Sequence, residues 1–268
     1  MTAGTFVLRT GAGPPVVCLH ANASTSGQWR SLMETLASAL DVCAPDLHDA
    51  GKGPAWRGPS LPTLADEVAL IAPLLGRADA PVTLVGHSYG AAVALVAAVA
   101  HPERVRALAL YEPTLFALLD AERPPPNDAD GIRRAVADAA AALDAGDAPA
   151  AATHFIDYWM GAGAFAALPD SRRAPIAAAV HNVRRWAHAL TTEPTALEAI
   201  ARLDVPMLLM SGSRSTASAQ GVMRLLTRAL PRAEAVVFDG VGHMGPVTHP
   251  SVVNPAIAAF LERLHAAS

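Results

Sequence analysis

Residues 82–100 read Val-Thr-Leu-Val-Gly-His-Ser-Tyr-Gly-Ala-Ala-Val-Ala-Leu-Val-Ala-Ala-Val-Ala. Val82 to Val85 is a short apolar run that reads as a buried strand. From Ala91 onward an alanine-rich run reads as a helix ending near His101-Pro102. Between them stands Gly86-His87-Ser88-Tyr89-Gly90, a Gly-x-Ser-x-Gly pentapeptide. A chain of this length carries roughly 0.1 such matches by chance, so the pentapeptide alone says little and its context decides. A sharp turn from strand directly into helix strains its central residue and needs side-chain-free neighbours two residues to either side. Gly86 and Gly90 meet that need. The turn holds the Ser88 hydroxyl clear of the sheet, near the positive end of a helix dipole.

Working outward, residues 1–112 alternate strand-like and helix-like patterns, which predicts a mostly parallel sheet with helices on both faces. Residues 5–10, Val16 to His20, Asp41 to Pro45 and Val105 to Tyr111 read as strands. In residues 25–39, with Leu40 just beyond, Trp29, Leu32, Leu36 and Leu40 recur at helical spacing. Thr63 can cap a helix running to about Leu75, with Asp66 and Glu67 in its first turn. The rhythm breaks at residues 113–195, which hold a proline-rich loop and helical stripes but no convincing strand. Ile132, Val136, Ala140 and Leu143 form one stripe; Phe155, Ile156, Trp159 and Met160 suggest another apolar face. Alternation resumes with strands at Pro206 to Met210 and Ala235 to Phe238 and helices at 217–230 and 251–265. The expected architecture is a sheet core of residues 1–112 and 196–268 carrying a helical cap, residues 113–195, as an insertion.

The 268 residues are 52% apolar and 16% charged with a net charge of −4, a composition suited to a buried core. Lys52 is the only lysine among 20 basic residues, and the arginines are scattered, so no nucleic-acid footprint is visible. The longest apolar run before Arg9 is Phe6-Val7-Leu8, and the stretch from Gly90 to Ala100 is too short to span a bilayer. The expectation is a cytoplasmic protein acting on a small molecule, without membrane or nucleic-acid partner; oligomeric state is not readable. Cys18 and Cys43, each inside a strand-like run, read as inert thiols. No histidine pair shows zinc-ligand spacing with a cysteine or carboxylate partner, so no metal and no cofactor are expected.

The chain resembles the α/β-hydrolase superfamily over nearly its whole length. Besides the Gly-His-Ser-Tyr-Gly turn, the resemblance lies in Leu19-His20-Ala21-Asn22, Ala44-Pro45-Asp46-Leu47 and Gly242-His243. The helical insertion falls where that family carries its lid. Two departures stand out: Ala21 replaces the usual glycine after the early histidine, and only one strand is evident before Val16.

A serine hydroxyl needs an adjacent base. The resemblance implies His243, in the loop after the strand 235–238, with His249 as the nearest rival. His20 and His87 read as packing residues. Oxyanion stabilisation calls for backbone N–H donors. One is the amide of Tyr89, after the nucleophile; the other, by similarity, is that of Asn22, with Ala21 as the alternative. The third triad member departs from the family pattern. The loop after Pro206 to Met210 reads Ser211-Gly212-Ser213-Arg214-Ser215-Thr216, without a carboxylate, and Ser215 stands at the usual acid position. The family's alternative is an acid at the end of the strand after the nucleophile helix, which here is Glu112. Asp239 is a weaker candidate, and Asp46 reads as capping its own loop.

The serine nucleophile implies an esterase-like hydrolase acting through an acyl-enzyme. A perhydrolase (haloperoxidase-like) or acyltransferase on the same triad is the alternative, and a non-catalytic ligand-binding protein the third reading. Trp29, Phe116, Phe155 and Trp159 are candidate pocket residues, because pocket linings fall in loops and caps. They imply a small, largely apolar substrate.

Overall fold

The computed structural model describes residues 5–76 and 80–266. Seven strands form one sheet: β1 (Val7–Thr10), β2 (Pro15–Leu19), β3 (Asp41–Pro45), β4 (Val82–His87), β5 (Val105–Tyr111), β6 (Met207–Gly212) and β7 (Glu234–Phe238). Their order is β1-β3-β2-β4-β5-β6-β7. Only β1 runs antiparallel to its neighbour; every other pairing is parallel. The helices are α1 (Arg30–Leu36), α2 (Leu64–Leu75), α3 (Tyr89–Ala100), α4 (Ala117–Glu122), α5 (Asp130–Asp144) and α6 (Ala148–Met160). They continue with α7 (Asp170–Val180), α8 (Val183–Thr191), α9 (Leu197–Ala201), α10 (Ala217–Ala229), α11 (Gly245–Thr248) and α12 (Pro250–Ala266).

Strands β2 to β6 are mostly apolar and buried because helices cover both faces of the sheet, whereas the edge strands β1 and β7 are more exposed. Alternate side chains divide between two cores. Val17, Leu19, Leu84, Leu108, Leu110 and Leu209 face the α2–α3–α10 side. Val16, Cys18, Val85, Ala109 and Met210 face α1 and α12. Cys18 and Cys43 are both buried and unbridged.

Local signals set most element ends. Thr63 and Asp66 form a reciprocal capping box at the start of α2: the Asp66 amide donates to Thr63 Oγ1 (3.3 Å) and the Thr63 amide to Asp66 Oδ2 (2.8 Å). The expected helix over 25–39 is shorter than its periodicity. A 3₁₀ turn occupies Ser26–Trp29, and α1 covers only seven residues. The cause is local: the Thr25 hydroxyl accepts the Gly27 amide, and Asp46 Oδ1 takes the Ser26 amide at 2.7 Å. Helices α4 to α8 all fall between β5 and β6, and no strand interrupts them among the described residues.

The carboxyl ends of β2, β4 and β5 lie side by side in the middle of the sheet, with Leu19 opposite Gly86 and His87 opposite Tyr111. Whatever follows those three strands is therefore gathered at one place, the edge where ligands bind in such sheets. No helix of the described residues is long and apolar enough to cross a membrane.

Candidate active site

Ser88 follows β4 and precedes α3, with φ 56° and ψ −115°. A non-glycine residue at such angles costs on the order of 1–3 kcal/mol, and packing around the turn holds it there. A Cβ on Gly86 would meet the backbone of Ala91 at 2.5 Å, and one on Gly90 the carbonyl oxygen of Leu19 at 2.3 Å. Both glycines are required by close approach of backbone rather than by positive φ.

His243 lies in the loop between β7 and α11, and its Nε2 is 2.9 Å from Ser88 Oγ. Its Nδ1 is 2.6 Å from Glu112 Oε2. With Nδ1 donating to the carboxylate, Nε2 is the lone-pair nitrogen that faces the serine. Glu112 ends the β5 segment with φ 45° and is fully buried. Its second oxygen, Oε1, accepts the Gly212 amide at 2.7 Å and the Ser215 hydroxyl at 2.5 Å. The three residues thus form one hydrogen-bonded chain inside the protein.

Two buried side chains anchor the His243 loop by consecutive carbonyls. Tyr111 OH donates to the Gly242 carbonyl at 2.7 Å, and His87 Nε2 to that of His243 at 2.8 Å. A carbonyl can only accept, so Nε2 of His87 carries the proton. Burial, reinforced by the neighbouring His243, holds the His87 imidazole well below the usual histidine range and keeps it neutral. Its Nδ1 accepts from Gln28 Nε2 at 3.1 Å, and Gln28 Oε1 accepts the Ala21 amide at 3.2 Å. The loop after β2 is thereby tied through Gln28 and His87 to the loop that carries His243.

The Ala21 amide is therefore occupied. Those of Asn22 and Tyr89 have no acceptor among the described residues, and Tyr89 opens α3, where the first amides lack helical partners. His20 packs inward as expected: its Nδ1 donates to the Ala21 carbonyl at 2.8 Å, and its Nε2 accepts the Leu47 amide at 3.1 Å. Asp46 takes the Ser26 and Lys52 amides. Asp239 accepts the Ser213 hydroxyl and His249 pairs with Thr248, so neither takes the place beside Ser88 or Glu112.

A cavity of about 660 Å³ opens over Ser88 and His243. Asn22, Phe116, Phe155 and Trp159 line it, together with Ile132, Val136, Ile176 and Trp186. Trp29 does not. It is buried on the opposite face of the sheet against α1 and α12, because the segment that carries it packs as core beneath the strands instead of returning over their ends. Reading the residues alone also missed Gln28, Tyr111 and the pose of Trp159, whose indole lies on the His243 ring. Only Tyr111 had a local signal, its place beside Glu112 at the strand end. Among the described residues no group of three or more His, Cys, Asp or Glu side chains could hold a metal ion.

A seven-stranded, mostly parallel sheet with a strained serine between β4 and α3 defines a class. The chain belongs to the alpha/beta hydrolase fold family, whose sequence model matches residues 14–250. It is 37% identical over 106 residues to Lipase LipV of Mycobacterium tuberculosis, a match that covers 39% of this chain and 39% of the lipase. A longer alignment, 27% identical over 260 residues, joins it to the pimeloyl-[acyl-carrier protein] methyl ester esterase of Chromobacterium violaceum and covers 96% of this chain and 98% of that one. Among solved structures, a carboxylesterase of the ammonia-oxidizing thaumarchaeon Nitrososphaera gargenis superposes with a TM-score of 0.77 at 18% identity, covering 98% and 96% of the two chains. That likeness is one of fold.

Proposed function

We propose that this protein is a serine hydrolase that cleaves an ester, or a related acyl bond, of a small and largely apolar substrate. The observation that carries the reading is the buried chain Ser88–His243–Glu112, with contacts of 2.9 and 2.6 Å at the two ring nitrogens. In this mechanism Nε2 of His243 takes the Ser88 proton as Oγ attacks the acyl carbon. Glu112 holds the tautomer and offsets the imidazolium charge. The carbonyl electron pair moves onto oxygen, where the amides of Tyr89 and Asn22 stabilise it. Collapse expels the alcohol, which receives the proton from His243 and leaves an acyl ester on Ser88. Water, deprotonated by the same histidine, attacks that ester, and its collapse returns the proton to Ser88 with release of the acid.

The occupied Ala21 amide favours Asn22 as the second donor. The apolar walls of the cavity support an apolar acyl group. The names of the esterase and lipase relatives agree with ester cleavage. In this reading residues 113–195 act as a lid, since α5, α6 and α8 supply much of the wall.

The test is covalent labelling. An organophosphonate should add one group, on Ser88, and Ser88→Ala should abolish both labelling and hydrolysis of p-nitrophenyl butyrate. Full labelling at another residue would overturn the assignment.

A further inference from the structure

The indole of Trp159, near the end of α6, lies over the His243 imidazole with ring centroids 4.0 Å apart and planes 25° from parallel. We propose that Trp159 is a positioning residue for His243: its face holds the imidazole in the plane that joins Ser88 to Glu112 and stabilises the imidazolium formed in each acyl-transfer step. The inference rests on the triad reading above.

Rotation of a histidine ring about its last side-chain bond is soft, because that torsion has a broad profile. The two in-plane hydrogen bonds fix the ring edges, and the anchored carbonyls fix the backbone. Neither constrains the ring faces. An indole at stacking distance restricts tilting, and its negative face favours a cation over a neutral ring.

Trp159 is itself well held. Phe116 stacks near it, while Phe155 and Tyr158 meet it edge-on. Tyr158 OH bonds Ser218 Oγ at 2.7 Å, which ties α6 to α10 of the sheet core. The insertion thus bears on the base itself as well as walling the cavity.

Arg133 and Arg172 line the same cavity as His243, and the polar groups in direct contact with the ring are few. Glu112, Ser88 and the Tyr111 hydroxyl on the adjacent Gly242 carbonyl come from the sheet side, and the His87 ring lies 5.3 Å away. On α6, Asp157 is engaged with the amides of Gly163 and Phe165. Trp159 is the aromatic partner at closest stacking distance.

The experiment reads tryptophan emission against pH together with turnover of p-nitrophenyl butyrate. A stacked imidazolium quenches indole emission. Wild type should therefore show a pH transition that coincides with the acid limb of turnover and is missing from Trp159→Phe and His243→Gln. Trp159→Leu should lose about tenfold in kcat, and Trp159→Phe, which keeps an aromatic face, should recover most of it. A wild-type emission without that pH transition, or a transition that persists in Trp159→Phe, would overturn the stacking, whatever the variants do to turnover. Wild-type kcat in Trp159→Leu would overturn the positioning role while leaving Ser88 labelling, and so the triad reading, intact. Labelling away from Ser88 would instead fail the triad reading, while the emission transition, which does not depend on the nucleophile, would still report the stacking of Trp159 on His243.

Discussion

The Ser215 hydroxyl donates to Glu112 Oε1 at 2.5 Å, so the residue at the family's usual acid position serves a carboxylate that arrives from the neighbouring strand. The Gly212 amide joins it on the same oxygen, and His243 takes the other. A neutral donor can orient this acid but cannot replace its charge.

Glu112→Gln should therefore keep the shape of the site while failing to fix the His243 tautomer. The expected loss in kcat is up to roughly 10⁴-fold. Ser215→Ala should cost about tenfold or less, since the Gly212 amide still donates to the same oxygen. Steady-state kinetics on one ester substrate separate the two. Similar losses for both variants would contradict this division of roles.

The strained backbone at Ser88 has its own consequence. Ser88→Gly relieves the positive φ, which Ser88→Ala retains, and the relief outweighs the extra chain entropy of glycine. The glycine variant should be more stable than the alanine variant by about 1 kcal/mol. Urea unfolding of the two inactive proteins measures the difference, and equal midpoints would mean that the turn is not strained.

Gln28 bridges His87 and the Ala21 amide, and so sets the distance between the loop after β2 and the nucleophile turn. Gln28→Leu keeps most of the bulk and removes both hydrogen bonds. We expect kcat to fall about tenfold or more with KM changed far less, because in the proposed mechanism this loop carries an oxyanion donor whose misplacement is felt mainly in the transition state. A change confined to KM would show that the bridge acts on substrate binding instead.

Glu67 is buried in α2, accepting the Tyr89 hydroxyl at 3.2 Å and the His48 amide at 3.1 Å. Burial pushes its carboxyl up to about 8, with Asp49 and Asp66 adding to the rise and the two hydrogen bonds opposing it. The folded protein thus holds this proton more tightly than the unfolded chain. The associated stability is complete below the unfolded value near 4.5 and is lost as pH rises through about 8. Each unit of displacement corresponds to about 1.4 kcal/mol. Glu67→Gln, neutral at every pH, should flatten the fall in Tm between pH 5 and 8. An equally steep fall in the variant would assign the pH dependence to other groups.

Most of the sheet was legible in the residues because its strands, and helices such as α2 and α3, announce themselves locally. The apolar runs of β2 to β6, the capping box at Thr63 and the two glycines about Ser88 all act within a few positions of chain, where backbone sterics and hydrogen bonding dominate. The same locality explains what the residues by themselves could not settle. Trp29 shares its helical spacing with any amphipathic segment, and which face of the sheet that segment covers is a matter of packing. His243 and Glu112 stand 131 positions apart, and His243 and Ser88 155. The sequence offered Glu112 and Asp239 as possible acids; the geometry puts only the first against the imidazole, because β5 and β6 pair in a register that brings Tyr111 beside Met210. Gln28 against His87 and Trp159 against His243 carry no sequence signature at all. Such contacts arise when distant segments close on one another, and only the folded chain specifies them.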